Sequence, residues 1–129
     1  MRLNRIPLSA ALLAAALPVL AADKTGDEVF NQTCIVCHGS GLLGAPKITD
    51  AKRWKKLVAE GPDELVPAAL AGERQMPAKG NNPNLSDLEV ARAVVWMGNQ
   101  HGARWAEPSA EQMKKWRSKA DQKKRKHHD

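Results

Sequence analysis

The chain contains no tyrosine and a single phenylalanine, and it has only two cysteines, Cys34 and Cys37. With so few large apolar side chains, 129 residues make one short domain with a thin core, and a bound group that completes that core would help it fold. Cysteines separated by two residues suit metal or cofactor attachment better than a structural disulfide. No stretch alternates polar and apolar residues as a strand would. No constellation of catalytic acid, base and nucleophile is visible either, which argues against an enzyme.

The long apolar stretch Leu8 to Leu17 is shorter than the roughly 20 residues a membrane-spanning helix needs. It follows Arg2 and Arg5 and gives way to Pro18 and small residues ending at Ala21 and Ala22, before charge resumes at Asp23 and Lys24. That order of features is a secretory signal, expected to be cleaved after Ala21 or Ala22 and to export the mature protein. Retention of residues 1–22 as an anchor is the alternative.

The net charge of +6 is unevenly placed. Residues 1–22 carry +2, residues 23–103 carry nine Lys and Arg against ten Asp and Glu, and residues 104–129 carry nine against four. A nearly neutral body with a basic tail, in an exported chain, argues against nucleic acid as the partner.

Thr25-Gly-Asp-Glu28 has the form of a capping box and predicts a first helix from about Gly26 to Cys34. Glycines and Pro46 then predict a loop over 39–46. Asp50 is placed to cap a helix to Glu60 with Trp54, Leu57 and Val58 on one face, stopped by Gly61 and Pro62. A third short helix is expected over 63–71, with Pro67 obscuring its start. Residues 75–85 read as extended loop, and Ser86-Asp-Leu-Glu89 opens a largely buried helix through about Asn99. The expected fold is all-α, three to four short helices with long loops that need something to wrap around.

Cys34-Ile-Val-Cys37-His38 supplies that something. Two cysteines at this spacing can form thioethers to two vinyl positions of one haem, and the adjacent histidine then falls beneath the iron as an axial ligand. A thioredoxin-like redox pair would want a βαβ setting that the chain lacks. A zinc site needs four ligands, and beyond His38 the chain offers only His101, His127 and His128, at no finger-like spacing. A plain disulfide is the remaining alternative.

Four methionines compete for the opposite axial position. Met1 leaves with the signal, Met97 lies within a helix that needs it for packing, and Met113 lies in the polar tail. Met76, in Gln75-Met-Pro-Ala-Lys79, stands on a loop from which a thioether can approach iron while Pro77 stiffens the chain. Filling a gap in the core is the other role open to it.

These segments together resemble the class I cytochromes c, and within them the bacterial cytochrome c-five type. The shared words are Gly26 through His38, Gly44-Ala-Pro-Lys-Ile48, Trp54, Met76-Pro-Ala-Lys-Gly80, and Leu85-Ser-Asp-Leu-Glu-Val90 leading into Ala93 and Val94. The resemblance implies a class I cytochrome c fold around one covalently attached haem c and its iron. It further implies terminal helices crossing at Gly26, Phe30 and Trp96, and a Pro46 carbonyl that accepts a hydrogen bond from His38. Trp54 and Lys79 would lie near the haem edge or its propionates; ordinary packing and a solvated charge are the other readings of these two.

Such proteins normally stop near Asn99. The chain is therefore divided into a signal (1–22), a haem domain (23–101) and a basic, partly helical extension (102–129) opened by a third capping pattern, Ser109-Ala-Glu-Gln112. The extension reads either as a solvated, partly frayed tail or as a docking arm, with Met113 and Trp116 against a partner and the basic run drawn to an acidic protein or an anionic membrane. The expected function is a periplasmic one-haem carrier of single electrons between membrane-bound or periplasmic reductases and oxidases. The alternatives are a haem subunit of a larger complex, or a five-coordinate haem sensor or peroxidase-like protein.

Overall fold

Each of the three capping patterns closes reciprocally. The side chains of Thr25, Ser86 and Ser109 accept from the backbone N–H groups of Glu28, Glu89 and Gln112, whose side chains accept in return from the backbone N–H groups of the caps. A computed structural model describes residues 15–17 and 21–128; the expected signal segment lies for the most part outside the described residues. Among these residues the regular structure is helical, apart from one isolated bridge between Glu73 and Met76. No described helix is long and apolar enough to cross a membrane.

Helix α1 runs without a break through Gly26–Val29, a π-helical turn Phe30–Cys34, and Ile35–His38. It is one turn longer than its expected end at Cys34. The wide turn, closed by the Ile35 N–H on the Phe30 carbonyl, inserts one extra residue just before the cysteines and so turns them relative to the face that Val29 buries. Helices α2 (Ala51–Glu60), α3 (Pro62–Ala71), α4 (Asp87–Asn99) and α5 (Ala110–Lys126) follow. Asp50 caps α2 by accepting from Arg53, and Trp54 is the residue α2 buries.

Helices α1 and α4 cross at Gly26. A Cβ at that position would meet the Arg92 carbonyl oxygen and lie 2.8 Å from the Trp96 Cβ, so only glycine permits the approach. One α1 turn further on, the rings of Phe30 and Trp96 lie 4.8 Å apart. Val29 is fully buried in a core shared with Val66, Leu70, Leu85, Ala91 and Ala93.

Pro67 lies inside α3, and the helix runs through it. Proline has no N–H, so the Asp63 carbonyl four residues earlier loses its partner. The Lys119 ammonium of α5 donates to that carbonyl at 3.0 Å. Its neighbour Trp116 is 3% exposed and donates from Nε1 to the Asp63 carboxylate at 2.7 Å. Ala120 is fully buried and Met113 half-buried against the same core. The extension is thus a helix laid along α3, with the two apolar residues of the docking-arm reading turned into the protein itself. The connection before it is also tied down: Asn99 exchanges two hydrogen bonds with Trp105, whose ring covers Gly98, and Glu107 pairs with Arg92.

Trp116→Ala is expected to destabilise the protein by about 3–5 kcal/mol, the range for truncating a buried aromatic, and Trp116→Phe by much less. Thermal unfolding followed by far-ultraviolet circular dichroism measures both. An unchanged midpoint in the alanine variant would mean that α5 is not part of the cooperative core.

Candidate metal centre

An apolar cleft opens between α1, α3 and α4. Val29 and Cys34 line it from α1, Ala69 from α3 and Val94 from α4, with Met76 and Lys79 along the α3–α4 connection. Cys34 is half-buried and packs against both apolar clusters of the molecule. Burial pushes its thiol up to about 11. Cys37 is half-buried, and both thiols are free. They sit on successive turns of α1, presented together at its C-terminal end.

His38 ends α1 and is buried, 9% exposed. Its Nδ1 lies 2.8 Å from the Pro46 carbonyl oxygen. A carbonyl can only accept, so Nδ1 carries the proton and Nε2 is left as the nitrogen with a free lone pair. The hydrogen bond implied for Pro46 is present. His38 is not among the residues that line the cleft holding Cys34 and Met76; it lies beside it, against Trp54.

The next two carbonyls of the same segment are served in the same way. Trp54 Nε1 donates to Lys47 at 3.0 Å, and His101 Nε2 lies 2.7 Å from the Ile48 oxygen, donating to it for the reason given for His38. The three rings form a file: Trp54 and His101 are stacked, 5.4 Å apart and 5° from parallel, and Trp54 and His38 are tilted at 6.3 Å. The Ile48 N–H returns to the His38 carbonyl at 2.6 Å. Residues 46–48 are therefore fixed by three aromatic N–H donors, from α1, α2 and the turn after α4. Sequence reasoning missed His101 as part of the site. In the sequence it stands out only as a potential zinc ligand, and nothing in its spacing reveals a stack on a tryptophan far away in the chain.

Lys79 lines the cleft, but its ammonium donates to the Leu85 carbonyl at 2.7 Å and pairs with Asp87 at 3.2 Å, so it is neither a solvated charge nor free. Hydrogen bonds from the Arg117 guanidinium, aided by Lys79, hold the Asp87 carboxyl below its usual range against the opposing effect of burial. Trp54 is 3% exposed, packed with Phe30 and Met97. Met97 also reaches the cleft wall, so two thioethers line it.

This donor set fits haem. Two free thiols lie at the end of one helix beside an apolar cleft, an imidazole there has its Nδ1 engaged and its Nε2 free, and a soft thioether stands on the cleft wall. The arrangement is that of a c-type cytochrome.

The sequence model of the family described as cytochrome C oxidase, cbb3-type, subunit III matches residues 21–97. Cytochrome c-555 of Chlorobaculum tepidum is 38% identical over 102 residues, covering 72% of this chain and 94% of the relative. Cytochrome c5 of Azotobacter vinelandii is 40% identical over 73 residues, covering 55% of this chain and 88% of the relative. A chain in the crystal structure of an electron-transfer complex of nitrite reductase with cytochrome c superposes with a TM-score of 0.57 at 31% identity, covering 63% of this chain and 99% of that one.

The chain belongs to this family of class I, one-haem c-type cytochromes. It is accordingly an electron-transfer protein with covalently attached haem c and its iron, and not an enzyme.

His101→Phe keeps the stack on Trp54 but leaves the Ile48 carbonyl without its donor, and is expected to cost about 1–3 kcal/mol. His101→Gln restores a donor and should recover part of that loss. Equal unfolding midpoints for wild type and His101→Phe would show that the third bond does not hold the segment.

Proposed function

We propose that the mature protein shuttles single electrons between exported redox proteins, with Cys34 and Cys37 anchoring the haem and His38 and Met76 as its axial ligands. Residues 1–22 direct export and are removed, and residues 23–101 form the haem domain. When bound, the haem iron supplies a one-electron ferric/ferrous couple that needs no bond to substrate. The observation that carries the ligand assignment is the pairing of a proton-fixed His38, with Nε2 free, and a Met76 that shares one apolar cleft with Cys34.

The roles of the protein's own groups follow. The Pro46 carbonyl fixes the His38 ring and strengthens its donation. Met76 is held in both directions by its backbone, donating to the Glu73 carbonyl at 2.9 Å and accepting from the Glu73 N–H at 3.0 Å. A neutral, soft sulfur favours the reduced metal and raises the potential. Met97 competes poorly for the role, because although it lines the same cleft it is 4% exposed and packed into the cluster of Phe30 and Trp54 from within α4, whereas Met76 stands on the connecting segment.

Ile35, Val36, Leu42 and Leu43 stand exposed beside the attachment segment, Leu43 at 65%. They form the apolar centre of a short-lived contact face for a redox partner, as weak electron-transfer encounters require. The neighbour crystallised with nitrite reductase supports a protein partner of that kind. Lys124, Arg125 and Lys126 remain exposed at the end of α5 and would draw an acidic partner toward that encounter.

In oxidised wild-type protein a weak near-infrared sulfur-to-iron band is expected. Met76→Ala should abolish it and let the reduced protein bind carbon monoxide rapidly, while Met97→Leu keeps the band. Retention of the band in Met76→Ala overturns the assignment. Replacing Lys124, Arg125 and Lys126 together by glutamine should flatten the ionic-strength dependence of reduction by the partner, and an unaltered dependence removes the basic run from the encounter.

A further inference from the structure

We infer that α5 clamps the segment carrying Met76, with Arg117 as the positioning residue and Lys123 as a second hold. The inference rests on the reading of Met76 as an axial ligand and adds a reason for the extension beyond residue 101.

The segment between α3 and α4 has little to hold it in place by itself. Its own regular structure is the Glu73–Met76 bridge, one short 3₁₀ turn, Ala78–Asn81, and a turn closed by the Leu85 N–H on the Asn82 carbonyl, and its side-chain bond to α1 is Asn82 Nδ2 to Thr33 Oγ1 at 3.2 Å. Three of its non-glycine residues, Arg74, Lys79 and Asn81, have left-handed backbone, with φ of 52°, 55° and 64°. Such residues persist where surrounding contacts over-determine them.

Those contacts reach both sides of Met76 and lead to α5. On the C-terminal side, Arg117 makes a two-pronged pair with Asp87, Nε to Oδ2 at 2.7 Å and Nη2 to Oδ1 at 2.5 Å. Asp87 holds Lys79 at 3.2 Å, and Lys79 also donates to the Leu85 carbonyl, which closes the loop from residue 79 to residue 85. On the N-terminal side, Lys123 lies 4.0 Å from Glu73, the residue paired with Met76 through both backbone groups. Arg117 is itself aimed by Asp121 one turn along α5, at 3.0 Å.

The helix is seated firmly enough to act as a clamp. Trp116 and Ala120 are in the core, and Lys119 binds the Asp63 carbonyl and the Glu64 carboxylate. Arg117 lies between Trp116 and Lys119 on the same short stretch. Its fork is therefore presented from a fixed position, the condition under which a bidentate pair transmits geometry. A thioether is a poor ligand for ferric iron, so a few tenths of an ångström of freedom in this segment should appear first as transient loss of the sulfur bond in the oxidised state.

The test uses the full-length, haem-loaded, oxidised protein titrated with imidazole, which binds only where the sulfur has left; the apparent affinity then reports the open fraction directly. Arg117→Ala is expected to bind imidazole about tenfold more tightly than wild type, Arg117→Lys to fall between them, and Lys115→Ala, exposed on the outer face of α5, to match wild type. If Arg117→Ala does not accumulate, Lys123→Ala is read in the same way and should also tighten binding.

Affinity within twofold of wild type in Arg117→Ala, with the near-infrared band present in both, overturns the clamp and leaves the ligand assignment standing. A lowered unfolding midpoint without a change in imidazole affinity likewise reduces Arg117 to a stability role and overturns it. Absence of the band from wild type would instead overturn the ligand assignment.

Discussion

The close crossing of α1 and α4 at Gly26 governs the rest of the molecule, because it sets the position of two walls of the cleft. α1 carries the two cysteines and His38 at its far end, and α4 supplies the opposite wall through Val90, Ala93 and Val94. With the backbones nearly touching at Gly26 and Phe30 packed on Trp96, the angle between the helices is fixed within the first two turns. What lies beyond is then a question of how the connecting segments are held against two walls already in place. A larger residue at 26 would not only strain one contact; it would move Cys34, Cys37 and His38 as a unit, since they are on one rigid rod.

A chain with one phenylalanine and no tyrosine must find packing elsewhere, and its four tryptophans show how. Trp54 is buried under the His38 side, Trp96 closes the helix crossing, Trp105 covers Gly98, and Trp116 brings α5 into the core. Two of the four hydrogen-bond through Nε1 to partners on other elements, so the same ring contributes apolar area and a directional tie. The Pro67 gap shows the same economy of parts. A broken helical bond leaves a carbonyl that only an outside donor can satisfy, and Lys119 makes the breach in α3 part of the attachment of α5.

Much of this was legible because it is local. Capping boxes at Thr25, Ser86 and Ser109 are short-range patterns with a fixed mechanism, and each marked a helix start correctly. The Cys34–His38 motif, the loop position of Met76 and the glycine at 26 were legible for the same reason. What escaped was non-local. Nothing in the order of residues says that His101 stacks on Trp54, or that Lys79 turns to Asp87. The apolar stripe of α5 was visible, yet a stripe states only that a helix has a face to cover, not that α3 of the same chain covers it. The π-turn at Phe30–Cys34 was hidden too, since a one-residue insertion leaves no compositional mark.

The two sides of the site are held by different kinds of force. On the histidine side, residues 46–48 are gripped by ring N–H donors, and the Trp54 and His38 rings that supply two of them are buried. Such bonds are short-ranged and little affected by ionic strength. On the methionine side, the ties that lead to α5 are ion pairs at side-chain exposures of 22% to 52%, running through Lys79, Asp87, Arg117, Glu73 and Lys123. Pairs of that kind weaken as salt rises. Solution conditions should thus loosen the methionine side well before they reach the histidine side. Under the proposed His38 and Met76 ligation, a carrier built this way would keep its imidazole geometry constant while the environment of the sulfur stayed adjustable, and under the proposed clamp that adjustment would pass through the C-terminal helix α5.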